Sequence, residues 1–420
     1  MSNDPHEILQ SCRLPETDLS LPTSSRVLTP AFSRRSFMRF AAAASAVSTM
    51  PIFTEAHLAA QARRVPKVHV PGGVYIDANE NPLGPSPSAC VACEDMAKNG
   101  GRYQMDLQMD LVKLFAAQQG LKPEYVSIFA GSSEPLHYTV LAYTGPEKSF
   151  VTADPGYEAG IMAAKVSGAK VVKVPLKADH SHDVKAMLAQ ASDAGVFYVC
   201  NPNNPTGTTT SRADIEYLLA NKPKGSILMI DEAYIHLSDV TPCVDMVAAD
   251  KDVIILRTMS KIYGMAGLRC GFALGRPDLL ANMQKYNGWT SMPVTAVAAA
   301  KVSLEDTTLV PERKKIIGDI RTETFEWLTA NNYEFIPSVS NCFMVNTNRP
   351  GKTVQDAMAA KNVYIGRVWP VMPTWVRVTV GTKPEMEKFQ VAFKEVMSAP
   401  VMASYEAPEV MEYLPGRFLS

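Results

Sequence analysis

TMSKIYGMAGLR, residues 258–269, follows the apolar run VIIL at 253–256 and sets a lysine, two hydroxyls and an arginine at the end of an apparent buried strand. Lys261 offers an amine able to condense with a carbonyl, and Thr258, Ser260 and Arg269 offer donors for a phosphate beside it. A lysine in such a turn can equally be an ordinary solvated loop residue. The reading therefore depends on whether other stretches complete one site.

Working outward, β-rich runs alternate with helical ones from residue 126 to 275: VSIFA, SFVTAD, KVVKVP, VFYVCNP, SILMIDEAY, VIILRTMS and LRCGFALG. This alternation predicts a mostly parallel seven-stranded sheet covered by helices, with ligands at the carboxyl ends of the strands. Helices at 277–286 and 293–304 close this large domain, and an amphipathic helix at 310–330 leads to a smaller α/β domain. That domain holds the strand runs EFIPSV, CFMVNT, NVYIGRV and WVRVTVGT, with helices at 353–361 and 383–397. Ahead of the sheet, VPKVHVPGGVYIDANENPLGPSP is too rich in Pro, Gly and Asn for a helix and predicts an extended arm crossing a surface, followed by helices at 88–98 and 107–119. The expected divisions are a leader at 1–62, an arm at 63–95, a large domain at 96–305, a small domain at 306–400 and a tail at 401–420.

Three further stretches fall at strand ends. Gly131, Ser132 and Ser133 precede a helix, where backbone N–H groups favour an anion, although an ordinary helix cap has the same pattern. CNPNNPTG at 200–207 makes a rigid turn that leaves the Asn204 amide free to donate, or serves only as a turn. In IDEAY at 230–234, Asp231 ends an apolar strand and needs a cationic partner there, unless it caps a following helix.

The chain has 420 residues, 46% hydrophobic and 20% charged, with a net charge of -1, which describes a globular protein and implies no nucleic-acid partner. SRRSFMRF at 33–40, an alanine-rich apolar run and small residues at 60–62 together resemble a twin-arginine export signal, cleaved after Ala62, with a periplasmic destination; a basic surface loop and a cytoplasmic enzyme form the alternative. No segment reads as a permanent membrane anchor. Of the seven cysteines only Cys90 and Cys93 lie close together, and without a second pair or nearby histidine they indicate no metal site. They read as small buried helical side chains, with a disulfide after export as the alternative.

Taken in order, GSSE, PGY, NPNNPTG, DEAY, TMSKIYGMAGLRCGF and WVRVTVGT resemble the fold-type-I pyridoxal-5'-phosphate aminotransferases of class I/II, nearest the histidinol-phosphate branch. The resemblance implies that Lys261 holds the cofactor covalently and later moves the proton at the substrate α-carbon, while Asp231 keeps the pyridine nitrogen protonated. It implies that Asn204 and Tyr234 donate to the ring oxygen and that Tyr157 stacks on the ring. Gly131, Ser132, Ser133, Thr258, Ser260 and Arg269 would surround the phosphate, and Tyr103 would reach the phosphate of a second copy, making a homodimer. Arg377 would take the substrate α-carboxylate, Asn79 would line the same mouth, and Arg367 would meet the substrate's distal group. The arm lacks the Pro-Tyr pair of histidinol-phosphate enzymes. Trp369, Val371, Met372 and Trp375, between the two arginines, would either line an apolar pocket or pack in the small domain's core. The implied activity is amino transfer between an amino acid and a 2-oxo acid. Histidinol-phosphate transamination proper, or a lyase, decarboxylase or racemase on the same fold, are the alternatives.

Overall fold

The computed structural model describes residues 54, 55, 58, 70–288 and 291–400. Most of the expected leader, including Arg34, Arg35 and the small residues at 60–62, lies outside the described residues, as does the tail. The strands in chain order are β1 (Val74–Ile76), β2 (Val126–Phe129), β3 (Ser149–Asp154), β4 (Val171–Pro175), β5 (Ala194–Cys200), β6 (Ile227–Asp231), β7 (Val253–Thr258), β8 (Gly271–Gly275), β9 (Phe335–Ile336), β10 (Cys342–Asn346), β11 (Val363–Ile365) and β12 (Trp375–Thr379).

The seven runs expected to form one sheet do so, in the order β2-β8-β7-β6-β5-β3-β4. β3 to β7 are parallel to one another, and β8 runs antiparallel between β2 and β7. β5, β6 and β7 are buried at every residue, which is why they read as unbroken apolar runs rather than alternating ones. Helices Ser133–Tyr143, Ala159–Ser167, Arg212–Asn221 and Val294–Glu305 belong to the same large unit. Because β2 to β7 share one direction, Gly131, Tyr157, Asn204, Asp231 and Lys261 all leave from the same edge of the sheet.

The smaller unit contains the antiparallel sheet β12-β10-β9, flanked by Leu309–Ala330 and by Lys383–Ser398. The last helix opens with a capping box, Thr382 and Glu385 each satisfying the other's backbone N–H.

The arm departs from expectation. β1 pairs in parallel with β11 of the smaller unit, and Asp77, Asn79 and Asn81 beyond it are buried rather than surface-crossing. A polar stretch without regular structure can be buried only when its backbone groups find partners. Here side chains supply them: Arg377 donates to the Asp77 carbonyl, Lys261 and Asn341 to that of Asn79, and Asn341 again to that of Glu80. Asn81 donates in turn to the Ile262 carbonyl. At Gly264, φ is +67° and an added Cβ would fall 1.9 Å from the Gly84 carbonyl oxygen, so glycine lets the arm lie directly on the Lys261 loop.

Cys90 also departs from expectation. The helix is present as Pro87–Ala97, but Cys90 points outward while Cys93 is half-buried, donating to the Thr295 carbonyl at 3.5 Å, and both are free thiols. Ala89 and Cys93 are one turn apart and share the inward face, which excludes their neighbour Cys90.

Candidate active site

The loops leaving the carboxyl ends of the parallel strands meet around a cavity of about 280 Å³. Its wall contains Ser132, Ser133, Tyr157, Asn204, Asp231, Tyr234, Thr258, Ser260, Lys261 and Arg269, so residues spread over more than a hundred positions converge as expected. Gly131 and Asn79 are not on that wall, and Tyr103 is 76% exposed on the outer surface.

One part of the wall is built for an anion. The helix Ser133–Tyr143 starts at this wall with no side-chain cap hydrogen bond from Ser132, and Thr258 donates to Ser260 at 2.9 Å in the opposing turn. Arg269 sits in the left-handed region at φ +63° and folds back beneath the glycine turn, donating to the carbonyls of Ala130 at 3.0 Å and Ala266 at 3.1 Å. Gly131 acts here by absence: at φ +88°, an added Cβ would lie 2.1 Å from the guanidinium.

Lys261 is buried and donates to the Asn79 carbonyl at 2.8 Å, with its amine 5.5 Å over the Tyr234 ring. Burial lowers its pKa, Arg377 adds to the depression, and a nearby carboxylate, Glu55, opposes it. Asp231 is 3% exposed at the end of β6 and accepts from the Tyr198 hydroxyl at 2.8 Å and from the Ala233 N–H at 3.1 Å. Among the described residues no Lys, Arg or His nitrogen lies within salt-bridge distance of it. Burial pushes its carboxyl up to about 6, partly offset by Tyr198, the Ala233 N–H and Lys261. It does not cap a helix. Tyr157 and Tyr234 are buried phenols whose pKa values burial raises.

The mouth of the cavity holds a carboxylate. Arg377, fully buried on β12, donates from one Nη to Asn204 at 3.0 Å and from the other to Glu55 at 2.6 Å and to the Asp77 carbonyl at 2.7 Å. Arg367 reaches the same Glu55 carboxylate at 3.2 Å and donates to Glu158 at 2.7 Å, and the Asn204 amide completes the set at 3.3 Å. Burial drives the Glu55 carboxyl up, but Arg367, Arg377 and Lys261 outweigh it and hold it at about 2. Asn79 does not line the mouth. Its side chain is buried between Tyr234 and Thr379, and it acts on the site through its carbonyl.

Glu55, Glu158 and Tyr198 are absent from the sequence-derived set. Tyr198 had a local signal, since it lies two residues before Cys200 on β5 and shares its face, beside the end of β6. Glu55 and Glu158 had none, because their partners lie far away in the chain. Of the four apolar residues between the arginines, three go to the small unit's core, Trp369 buried with Ile336 and Met344 and Met372 and Trp375 packed against them, whereas Val371 is 52% exposed, and none lines the cavity.

A buried carboxylate lacking a cation, a buried amine and an anion cradle on one cavity wall fit a small molecule with a cationic nitrogen, a carbonyl and a phosphate, and pyridoxal 5'-phosphate has all three. The burial of Asp231 without a cationic partner among the described residues predicts a pH effect on the cofactor-free chain. Its folded pKa, about 6, exceeds the ordinary 3.8, so its contribution to stability is complete below about pH 3.8 and is lost as pH rises through 6. The difference is on the order of 3 kcal/mol. Urea unfolding between pH 4 and 7 should show wild type losing roughly that much relative to Asp231→Asn, whereas a constant gap would place the Asp231 pKa at its ordinary value.

Comparison with known proteins agrees with this chemistry. The family model described as aminotransferase class I and II matches residues 74–393. A histidinol-phosphate aminotransferase of Moorella thermoacetica is 30% identical over 332 residues, covering 77% of this chain and 86% of that protein. An aromatic amino acid aminotransferase of Rhodococcus jostii is 32% identical over 328 residues, covering 77% and 90%. In fold, the chain is similar to the crystal structure of a histidinol-phosphate aminotransferase from Sinorhizobium meliloti in complex with pyridoxal-5'-phosphate, with a TM-score of 0.72 at 24% identity, over 87% of this chain and 98% of that one. The chain belongs to the class I and II aminotransferases, fold-type-I pyridoxal-phosphate enzymes that move an amino group between an amino acid and a 2-oxo acid.

Proposed function

We propose that this transaminase receives the α-carboxylate of its amino acid substrate at Arg377 and Asn204. The observation that carries the reading is the Glu55 carboxylate, which stands in for a substrate carboxylate and already accepts from Arg377, Arg367 and Asn204 at the mouth of the Lys261 cavity. A charge-assisted receptor of this kind orients its ligand as well as binding it. Bound pyridoxal phosphate supplies an electron sink that acidifies the substrate α-carbon. Lys261 holds the cofactor and then, as a free amine, takes and returns the proton at the α-carbon; its depressed pKa favours the neutral form that this role needs. Asp231 keeps its carboxylate ionised against the ring nitrogen, and Asn204 and Tyr234 face the ring oxygen. Ser132, Ser133, Thr258, Ser260 and Arg269 hold the phosphate. Borohydride should fix the cofactor to Lys261 in the native enzyme, and peptide mapping should find none fixed in Lys261→Ala; covalent label at the same site in the variant would sink the assignment.

The exposed Tyr103 supports a second part of the proposal, a homodimer in which each copy lends this hydroxyl to the other's phosphate. Sedimentation should give twice the chain mass, and Tyr103→Phe should weaken cofactor affinity about tenfold, the range expected for one hydrogen bond to a charged group. A monomer of undiminished affinity would overturn it.

The third part is export. Arg34 and Arg35 ahead of the apolar run direct the chain through the twin-arginine route, which carries folded proteins and so suits an enzyme loaded with its cofactor in the cytoplasm. Cleavage after Ala62 would also take Glu55 away from the carboxylate site. Fractionation should find a shortened chain in the periplasm, lost on replacing Arg34 and Arg35 with lysine. Uncut protein in the cytosol, indifferent to that replacement, is the contrary result.

A further inference from the structure

Arg367 is the residue expected to meet a distal anionic group on the substrate, yet in this chain it is already engaged. Its guanidinium donates to the Glu158 carboxylate at 2.7 Å and lies 4.7 Å over the Trp369 ring. Trp369 also carries Arg377, 5.6 Å from the ring, and donates from its indole nitrogen to the Gly156 carbonyl at 3.0 Å. The loop that presents Tyr157 to the cavity is thereby tied to both arginines, and Glu158, the next residue, closes the arrangement at the N-terminus of the helix Ala159–Ser167. The pair is largely withdrawn from solvent, with the Arg367 side chain 7% and the Glu158 side chain 30% exposed.

The charges at the mouth can be counted. Within the ion pairs of the two guanidiniums, Arg367 and Arg377 bring two positive charges, Glu158 offsets one, and the carboxylate now contributed by Glu55 offsets the other. A substrate α-carboxylate that replaces Glu55 restores this balance. A second anionic group on the substrate would have to break the Arg367 pair and would then leave the Glu158 carboxylate facing a like charge in a poorly solvated site. We propose that Glu158 is a specificity-determining residue, which by holding Arg367 restricts the pocket to amino acids with one carboxylate and an uncharged side chain. This rests on the transaminase reading and narrows its substrate class.

The test uses full-length, cofactor-loaded protein and separates binding from turnover. Calorimetry would measure two inert analogues, 3-phenylpropionate with one carboxylate and glutarate with two, on wild type, Glu158→Gln, Glu158→Asp and Glu55→Gln. Wild type should bind 3-phenylpropionate at least tenfold more tightly than glutarate. Glu158→Gln should tighten glutarate tenfold or more while leaving 3-phenylpropionate within threefold, and Glu158→Asp should restore the wild-type ratio. Glu55→Gln should strengthen both analogues together. Single-turnover conversion of the bound cofactor by phenylalanine, leucine, glutamate and histidinol phosphate should follow the same order, with Glu158→Gln changing half-saturation by glutamate more than the limiting rate. A wild type that prefers glutarate, a Glu158→Gln ratio within threefold of wild type, or a ratio altered instead by Glu55→Gln would each overturn the proposal. Failure of every amino acid to convert the cofactor, with the binding ratios as stated, would instead refute the transaminase reading and leave Glu158 as the discriminating residue.

Discussion

A lysine amine buried beside a guanidinium needs an oxygen to hold it, and Lys261 finds one in a backbone carbonyl 182 residues earlier, that of Asn79. Asn79 can turn its carbonyl inward because it occupies the left-handed region at φ 51°, which asparagine tolerates better than most residues. The same residue binds Thr379 through both its backbone N–H and its side-chain oxygen, and Tyr234 through its amide. The arm, the large sheet and the smaller unit therefore meet at one kink. Displacing it would release the amine, the Tyr234 hydroxyl and the β12 strand that carries Arg377 together.

Buried charge separates the groups that hold the fold from those that do chemistry. Glu232, adjacent to Asp231, is paired with the buried Arg257 at 2.7 Å and also accepts from the Cys243 N–H, so it is satisfied by the protein alone. Asp231 is equally buried, but among the described residues it is held by a phenol and one N–H with no cation paired to it, and burial raises its pKa. Two neighbouring carboxylates thus take opposite roles through their surroundings. The mouth shows the complementary case, where clustered arginines require anions and recruit Glu55 and Glu158.

Much of this architecture was legible along the chain. Fully buried parallel strands must be continuous apolar runs, and the turn after each must carry whatever faces the ligand, so Asp231, Asn204 and the 258–269 segment announced themselves by position. The arm was misread for a related reason. Composition rich in Asn, Pro and Gly indicates irregular backbone, but whether that backbone can be buried depends on donors elsewhere, here Arg377, Lys261 and Asn341.

The sequence by itself determined the sheet, most of the residues that line the cavity and the reaction class, because each is written in a strand and the turn that follows it, a few residues long. Only the tertiary structure decided how the charges at the mouth are shared. Glu55 and Arg377 stand 322 residues apart, and Glu158 and Arg367 stand 209 apart. Ion pairs between such distant segments leave no local pattern, since any surface glutamate looks the same until the fold brings an arginine to it. The orientation of Trp369 beneath both guanidiniums was settled in the same way, by packing at the junction of the smaller unit with the Tyr157 loop.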